Sequence, residues 1–120
     1  MNKQNAAPMN EETNQAKSVI LVVDDDKTNL SLAQNILLPN YRVAAANSGK
    51  AALKYLERHR PALILLDINM PGMDGFEVME QIQLKKETKS IPVIFLTADD
   101  MAATEVKCFR MGAMAFVGKP

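Results

Sequence analysis

Asp67 stands directly after four consecutive apolar residues, Leu63 to Leu66, a run too short for an ordinary helix and suited to a strand buried on both faces. A carboxylate at the end of a buried strand is costly unless it has partners. In open parallel sheets the ligand crevice lies at those carboxyl ends, so Asp67 is a site candidate. A second apolar run, Val19 to Val23, ends in Asp24, Asp25 and Asp26, and a third, Val93 to Leu96, ends in Thr97, Ala98, Asp99 and Asp100. Carboxylates a few ångströms apart repel by roughly 4 kcal/mol per pair at an effective dielectric of about 20, so protons or a cation must neutralise them. With oxygen ligands alone a hard cation is expected. Magnesium suits a site with few protein ligands, because it keeps several waters and binds phosphate as well; manganese is possible. Lys119 and Thr97 at the same edge make sense as partners for phosphoryl oxygens.

Plainer readings compete with this one. Asp67 alone could be a cap or a surface residue at a strand end, since ion pairs and caps also use Asp. The segment from Asp67 could open a calcium loop, with Asp67, Asn69 and Gly72 at positions one, three and six, but Pro71 at position five and Val78 at position twelve do not fit. The single cysteine, Cys108, excludes an internal disulfide and reads as a small buried apolar residue, not a nucleophile. His59, in the polar sequence ERHRP, reads as solvated. Met79 reads as core filler.

The elements that must position the acidic residues follow from pattern. After Val23 a helix starts near Lys27, with Leu30, Ala33 and Leu37 on one face, and stops before Pro39. Tyr41 to Ala45 reads as a short strand, and Ser48 can cap a helix that turns Ala52, Leu53 and Leu56 inward. Beyond Asp67, the residues Pro71, Gly72, Asp74 and Gly75 are turn chemistry, and Asp74 with Glu77 has the spacing of a capping box. The next helix buries Phe76, Met79 and Ile82 and ends in the polar stretch LKKETKS. A fourth helix, Asp100 to Met111, is expected to bury Val106 and Phe109; Gly112 ends it, and Ala115 to Val117 forms the last strand. Strand and helix alternate four times before that strand, which argues for an α/β fold: a parallel sheet with right-handed crossovers and helices on both faces. Both acidic strand ends, Thr97 and Lys119 then share one sheet edge although they are distant in sequence. That coincidence tips the balance from cap to chemistry.

The chain has 120 residues, enough for one domain with a real core, and equal numbers of basic and acidic side chains, 14 each, without a run of five like charges. Nothing in it suggests a nucleic-acid or membrane surface. No apolar run reaches 18 residues, and the first 18 residues hold no signal-like segment, so a cytoplasmic location is expected. Residues 1–17 read as a disordered tail and residues 18–120 as the folded domain.

From about Ser18 to Pro120 the sequence resembles the receiver domain of two-component response regulators. The resemblance rests on VVDDD at Val22 to Asp26, LLDINMPGMDG at Leu65 to Gly75, FLTA at Phe95 to Ala98 and GAMAFVGKP at Gly112 to Pro120. It implies a flavodoxin-like, doubly wound, five-stranded parallel sheet of order 2-1-3-4-5. Asp67 matches the phosphoacceptor and Asp24 with Asp25 the acidic pair; Asp25, Asp67 and the backbone carbonyl of Asn69 would hold magnesium. Thr97 matches the hydroxyl that engages the phosphoryl group, Lys119 its ion-pair partner and Phe116 the aromatic switch residue. Asn69 and Asp99 sit where the family tunes attack by water, and the Lys119–Pro120 peptide is expected to be cis. The implied donor is a phosphohistidine of a sensor histidine kinase or histidine phosphotransfer protein, and the implied recipient of the signal is an output domain or partner chain. The domain would catalyse only its own phosphorylation and dephosphorylation.

Members of that family continue past the Lys-Pro pair with a fifth helix, which this sequence lacks. The chain therefore reads as a fragment of a longer regulator, with apolar surface left beside the first helix and self-association as the expected result. Three rivals remain at this point. One is a module of the same fold that signals by contacts without phosphorylation. Another is a haloacid-dehalogenase-type phosphatase, for which Asn69 stands where a second acid is needed and a cap insertion is absent. The third is a flavodoxin-like nucleotide binder, for which no glycine-rich phosphate loop follows any strand.

Overall fold

The computed structural model describes residues 18–98 and 102–119. Five strands alternate with four helices among them: β1 Val19–Val23, α1 Lys27–Leu37, β2 Arg42–Ala46, α2 Gly49–Leu56, β3 Leu63–Asp67, α3 Gly75–Leu84, β4 Val93–Thr97, α4 Ala102–Arg110 and β5 Ala115–Gly118. All neighbouring strands are parallel, in the order β2-β1-β3-β4-β5. This is the doubly wound arrangement implied by the sequence. The tail expected over residues 1–17 and the cis peptide expected at Lys119–Pro120 lie outside the described residues.

Two helix starts are set by the short polar side chains expected to set them. Ser48 Oγ accepts from the Ala51 backbone N–H, and Asp74 forms a reciprocal capping box with Glu77, at 2.9 and 3.0 Å. Asp26 caps α1 by accepting from Thr28 N–H at 2.8 Å, so the third acid of the first run does the plain structural job. Gly112, at φ 98°, closes α4 in a conformation that costs glycine little. Tyr41 stays out of β2 because its N–H donates to Leu37 O at the end of α1, so that strand runs one residue later than expected.

Burial alternates along β3 and β4. Ile64, Leu66 and Phe95 are fully buried on one face with Ala52, Leu56, Val78, Met79 and Ile82 of α2 and α3, whereas Leu63, Leu65, Ile94 and Leu96 are only half-buried. The run Leu63 to Leu66, expected to be buried on both faces, is thus buried fully on one and only partly on the other, whereas Ile20 to Val23 of β1 is buried on both. On the second face α1 presents Leu30, Ala33 and Leu37 toward the sheet, but none of its residues is fully buried, and Leu32 and Ile36 remain 48% and 68% exposed.

A second correction concerns α4. Val106 and Phe109 are exposed, and Cys108 is the buried residue of the helix, with Met111 just beyond it packed against the core. An i, i+3 pair can point either way, and the apolar stripe that meets the core is Cys108 and Met111, not Val106 and Phe109. The α3 helix buries Met79 and Ile82 as expected; Val78 takes a fully buried place too, while Phe76 is half-buried and tilts against Phe95 at 5.5 Å.

Candidate functional site

Strand register brings the acids together. Val23 pairs with Ala46 on one side and Leu66 on the other, so Asp24 and Asp67, each the next residue, emerge side by side. Carboxylate oxygens of Asp24, Asp25 and Asp67 all lie within 4.8 Å of one another; Asp24 and Asp67 are buried, and Asp25 is exposed. On the far side of β3, Thr97 pairs with Gly118, and the Lys119 N–H donates to Thr97 O at 2.7 Å. That bond anchors the last strand so that the Lys119 side chain returns across the sheet edge. Its Nζ lies 2.8 Å from Asp24 Oδ2 and 3.2 Å from Asp67 Oδ1.

Each buried acid has several donors. Asp24 accepts from the Asp26 backbone N–H at 2.9 Å and from the Asn29 amide at 3.2 Å, and Asp67 accepts from the Asn69 backbone N–H. Burial nonetheless pushes the Asp67 carboxyl above its ordinary value of 3.8, and the charge on Asp24 pushes the same way; Lys119 and the Asn69 N–H only partly offset them. For Lys119, burial pulls the ammonium down. The hydrogen bond to Asp24 and the charges of Asp67 and Asp24 outweigh it, and the net value lies above the ordinary 10.5. Among the described residues, three carboxylates against one ammonium leave the cluster with excess negative charge. An all-oxygen donor set with that excess fits a hard divalent cation.

The other expected residues are distributed around this centre. Thr97 is fully buried at the end of β4, and Ala98 lines a hollow of about 270 Å³ together with Asp24, Asn29 and Lys119. The Asn69 side chain is exposed in the β3–α3 loop. Phe116 pairs with Phe95 across the β4–β5 ladder and packs half-buried against the core. Asp99 lies outside the described residues. His59 is exposed and stacks on Tyr55, with ring centroids 4.3 Å apart. Cys108 is buried, and burial raises its thiol, as suits a packing residue.

Asn29 is the residue that sequence reasoning missed. Its signal is weak: a polar side chain in the first turn of a helix that follows an acidic strand end, where it can fold back toward that end.

The geometry agrees with comparisons to known proteins. The family model described as response regulator receiver domain matches residues 20–120. A probable cyclic di-GMP phosphodiesterase of Vibrio cholerae is 43% identical over 105 residues, which cover 88% of this chain and 24% of that protein. Among solved structures, the Mn(2+)-bound form of response regulator Rcp1 is 30% identical with a TM-score of 0.79, covering 86% of this chain and 81% of that one. The phosphorylated cyanobacterial phytochrome response regulator RcpA is 29% identical with a TM-score of 0.81, covering 88% and 82%. The chain spans less than half the length of the curated relatives it matches.

Proposed function

The chain belongs to the response regulator receiver domain family of two-component signalling, and from that membership we propose that Asp67 is its phosphoacceptor, supplied by a phosphohistidine of a sensor kinase or histidine phosphotransfer protein. The observation that carries this reading is the convergence of Asp67 with Asp24, Asp25 and Lys119 at one sheet edge. An Asp67 carboxylate oxygen attacks phosphorus, the P–N bond breaks, and the imidazole leaves with the electron pair and takes up a proton. Lys119, already 3.2 Å from Asp67, stays beside the transferred group and offsets its charge. The Thr97 hydroxyl donates to a phosphoryl oxygen. Ala98, being small, leaves the path open, and Asn69 and Asp99 tune the later attack by water that regenerates the carboxylate. Among the described residues, no helix is long and apolar enough to cross a membrane, and the proposed setting is the cytoplasm.

Asp25, Asp67 and the Asn69 carbonyl would hold magnesium, with Asp24 completing the acidic set and manganese able to substitute. The solved relative Rcp1 has a Mn(2+)-bound form. When bound, the ion neutralises the clustered carboxylates and the incoming phosphoryl charge. Millimolar magnesium is therefore expected to raise the melting temperature by binding the folded state alone. Asp25→Ala, which removes an exposed ligand without opening the core, should abolish that rise. A magnesium response of equal size in the variant would count against the ligand set.

Phosphorylation adds roughly two negative charges and three acceptor oxygens at Asp67. Thr97 moves to donate to one of them, the Phe116 ring enters the space vacated, and α4, which lies between the two in sequence and packs on β5, rearranges. Thr97→Ala should still accept phosphate but lose most of the rearrangement. Amide spectra with and without a beryllium fluoride mimic test this, and equal shifts around Phe116 in both proteins would sink the coupling. The change is read by an output domain or partner chain. Self-association belongs to the same proposal and is supported by the exposure of Leu32 and Ile36; a clean monomer by light scattering at high concentration would refute it.

A further inference from the structure

Two glycines, Gly49 and Gly75, each open a helix, and neither has a positive φ. An alanine at either place costs nothing in backbone conformation, so what matters is what its Cβ would meet. At Gly49 the neighbours are side chains: Val78 Cγ2 at 2.7 Å and the Met73 side chain at 3.0 Å. At Gly75 they are backbone. A Cβ there would lie 2.4 Å from the Asp67 carbonyl oxygen and 2.8 Å from the Ile68 Cα.

The start of α3 is thus seated directly on the peptide that carries the acidic centre. The Gly75 N–H donates to Ile68 O at 2.8 Å, and the capping box between Asp74 and Glu77 holds the first turn of the helix in place behind it. From the opposite side, Ile68 N–H bonds Leu96 O on β4 at 3.3 Å. The Asp67–Ile68 backbone is therefore held between β4 and the first residue of α3. A side chain at 75 cannot be accommodated by a rotamer change, because the atoms it meets have none.

We propose that Gly75 is a positioning residue for Asp67: its missing side chain lets α3 set the location of the Asp67 backbone, and hence the aim of the carboxylate and of the Asn69 N–H that bonds it. The functional half of this inference rests on the reading of Asp67 as phosphoacceptor. A Cβ added at position 75 would lie about 1 Å inside ordinary contact with Asp67 O, and a misplacement of about 1 Å costs roughly a hundredfold in a positioned reaction.

The test compares Gly75→Ala with Gly49→Ala, measuring the rate constant for phosphoryl labelling at saturating small acyl phosphate and the amide shifts of Asp67 to Asn69. Both substitutions introduce a clash and should lower the melting temperature. Only Gly75→Ala should slow labelling, by roughly a hundredfold in the rate constant, and move the three amide signals. Gly49→Ala should stay within about threefold of wild type and leave those signals in place. If Gly75→Ala does not fold, Asp74→Ala decides: it frees the first turn of α3 without a clash and should give a smaller, severalfold loss and the same direction of amide shift. A folded Gly75→Ala with wild-type rate constant and amide positions, an equal loss in Gly49→Ala, or an unchanged Asp74→Ala would each overturn the proposal. Wild-type protein that takes no label would sink the phosphoacceptor reading instead, and the amide shifts would then decide the role of Gly75 alone.

Discussion

Asp67→Asn is expected to abolish the phosphoryl adduct that a small acyl phosphate leaves on the wild-type protein, and at the same time to raise the melting temperature measured at neutral pH without added metal. The first effect follows from removing the nucleophile. The second follows from the crowding of Asp24, Asp25 and Asp67 within 4.8 Å and from the burial that holds the Asp67 carboxyl above 3.8. A carboxyl whose folded value is raised keeps its proton better in the folded than in the unfolded chain. That contribution to stability is complete below 3.8 and is lost as pH rises through the folded value. At neutral pH the ionised group is thus a net burden, and an amide at 67 relieves it, while Lys119 retains Asp24 at 2.8 Å. About 1 kcal/mol moves the midpoint of a domain near this size by roughly 4–8 °C, which is the scale expected. The gap between variant and wild type should close as pH falls toward 3.8. Mass spectrometry and a pH series of melting curves check the two halves. A retained adduct refutes the acceptor assignment, and a gap that persists or widens in acid refutes the electrostatic account.

Lys119→Met should lower both stability and labelling. Its Nζ is the cation in contact with both buried acids, at 2.8 and 3.2 Å, and removing one partner of a buried pair leaves uncompensated charge. Such losses run to roughly 3–5 kcal/mol when the pair is fully buried. The Lys119 side chain is 20% exposed, so solvent screens part of the effect and about 2 kcal/mol is expected. Labelling should slow by roughly a hundredfold, the cost of deleting one charge-stabilising donor. The raised value of Lys119 sets the pH dependence: its stabilisation is fully present below 10.5 and is lost as pH rises through the folded value. The stability curves of wild type and Lys119→Met should therefore converge in strong alkali. Magnesium affinity separates this effect from general damage, because removing a positive charge beside the carboxylates should strengthen cation binding or leave it unchanged. Weakened magnesium binding in a folded Lys119→Met would argue against the proposed arrangement.

Much of this architecture was legible without coordinates, because it is local. Apolar runs of four or five residues followed by acids, the Asp74–Glu77 spacing and the serine before Gly49 act within a few residues of themselves. The strands, the capping box and the Ser48 cap accordingly lie where their patterns put them, β2 and β5 to within a residue at their ends. Placing the acids of two strand ends on one sheet edge likewise required only that the strands be parallel, since parallel strands align their carboxyl ends; their contact required β1 and β3 to be neighbours. The strand order was not a matter of periodicity; it came from the resemblance carried by the four quoted motifs, and the sheet agrees with it.

What depended on tertiary structure is what depends on which surface an element meets. Cys108 faces the core and Phe109 faces out because β5 lies on one side of α4, a fact no i, i+3 spacing contains. Lys119 reaches Asp24 across 95 residues of chain only once β5 is hydrogen-bonded to Thr97. Asn29 becomes a support for Asp24 only when α1 folds back over the end of β1. Gly75 reads in the sequence as a turn residue, and the need for an absent side chain arises from the Asp67 carbonyl packed against it. Local spacing determines which residues can form a strand, a cap or a turn; the packing of those elements against one another decides which side chains share a few ångströms, and the chemistry of the acidic centre depends on that second step.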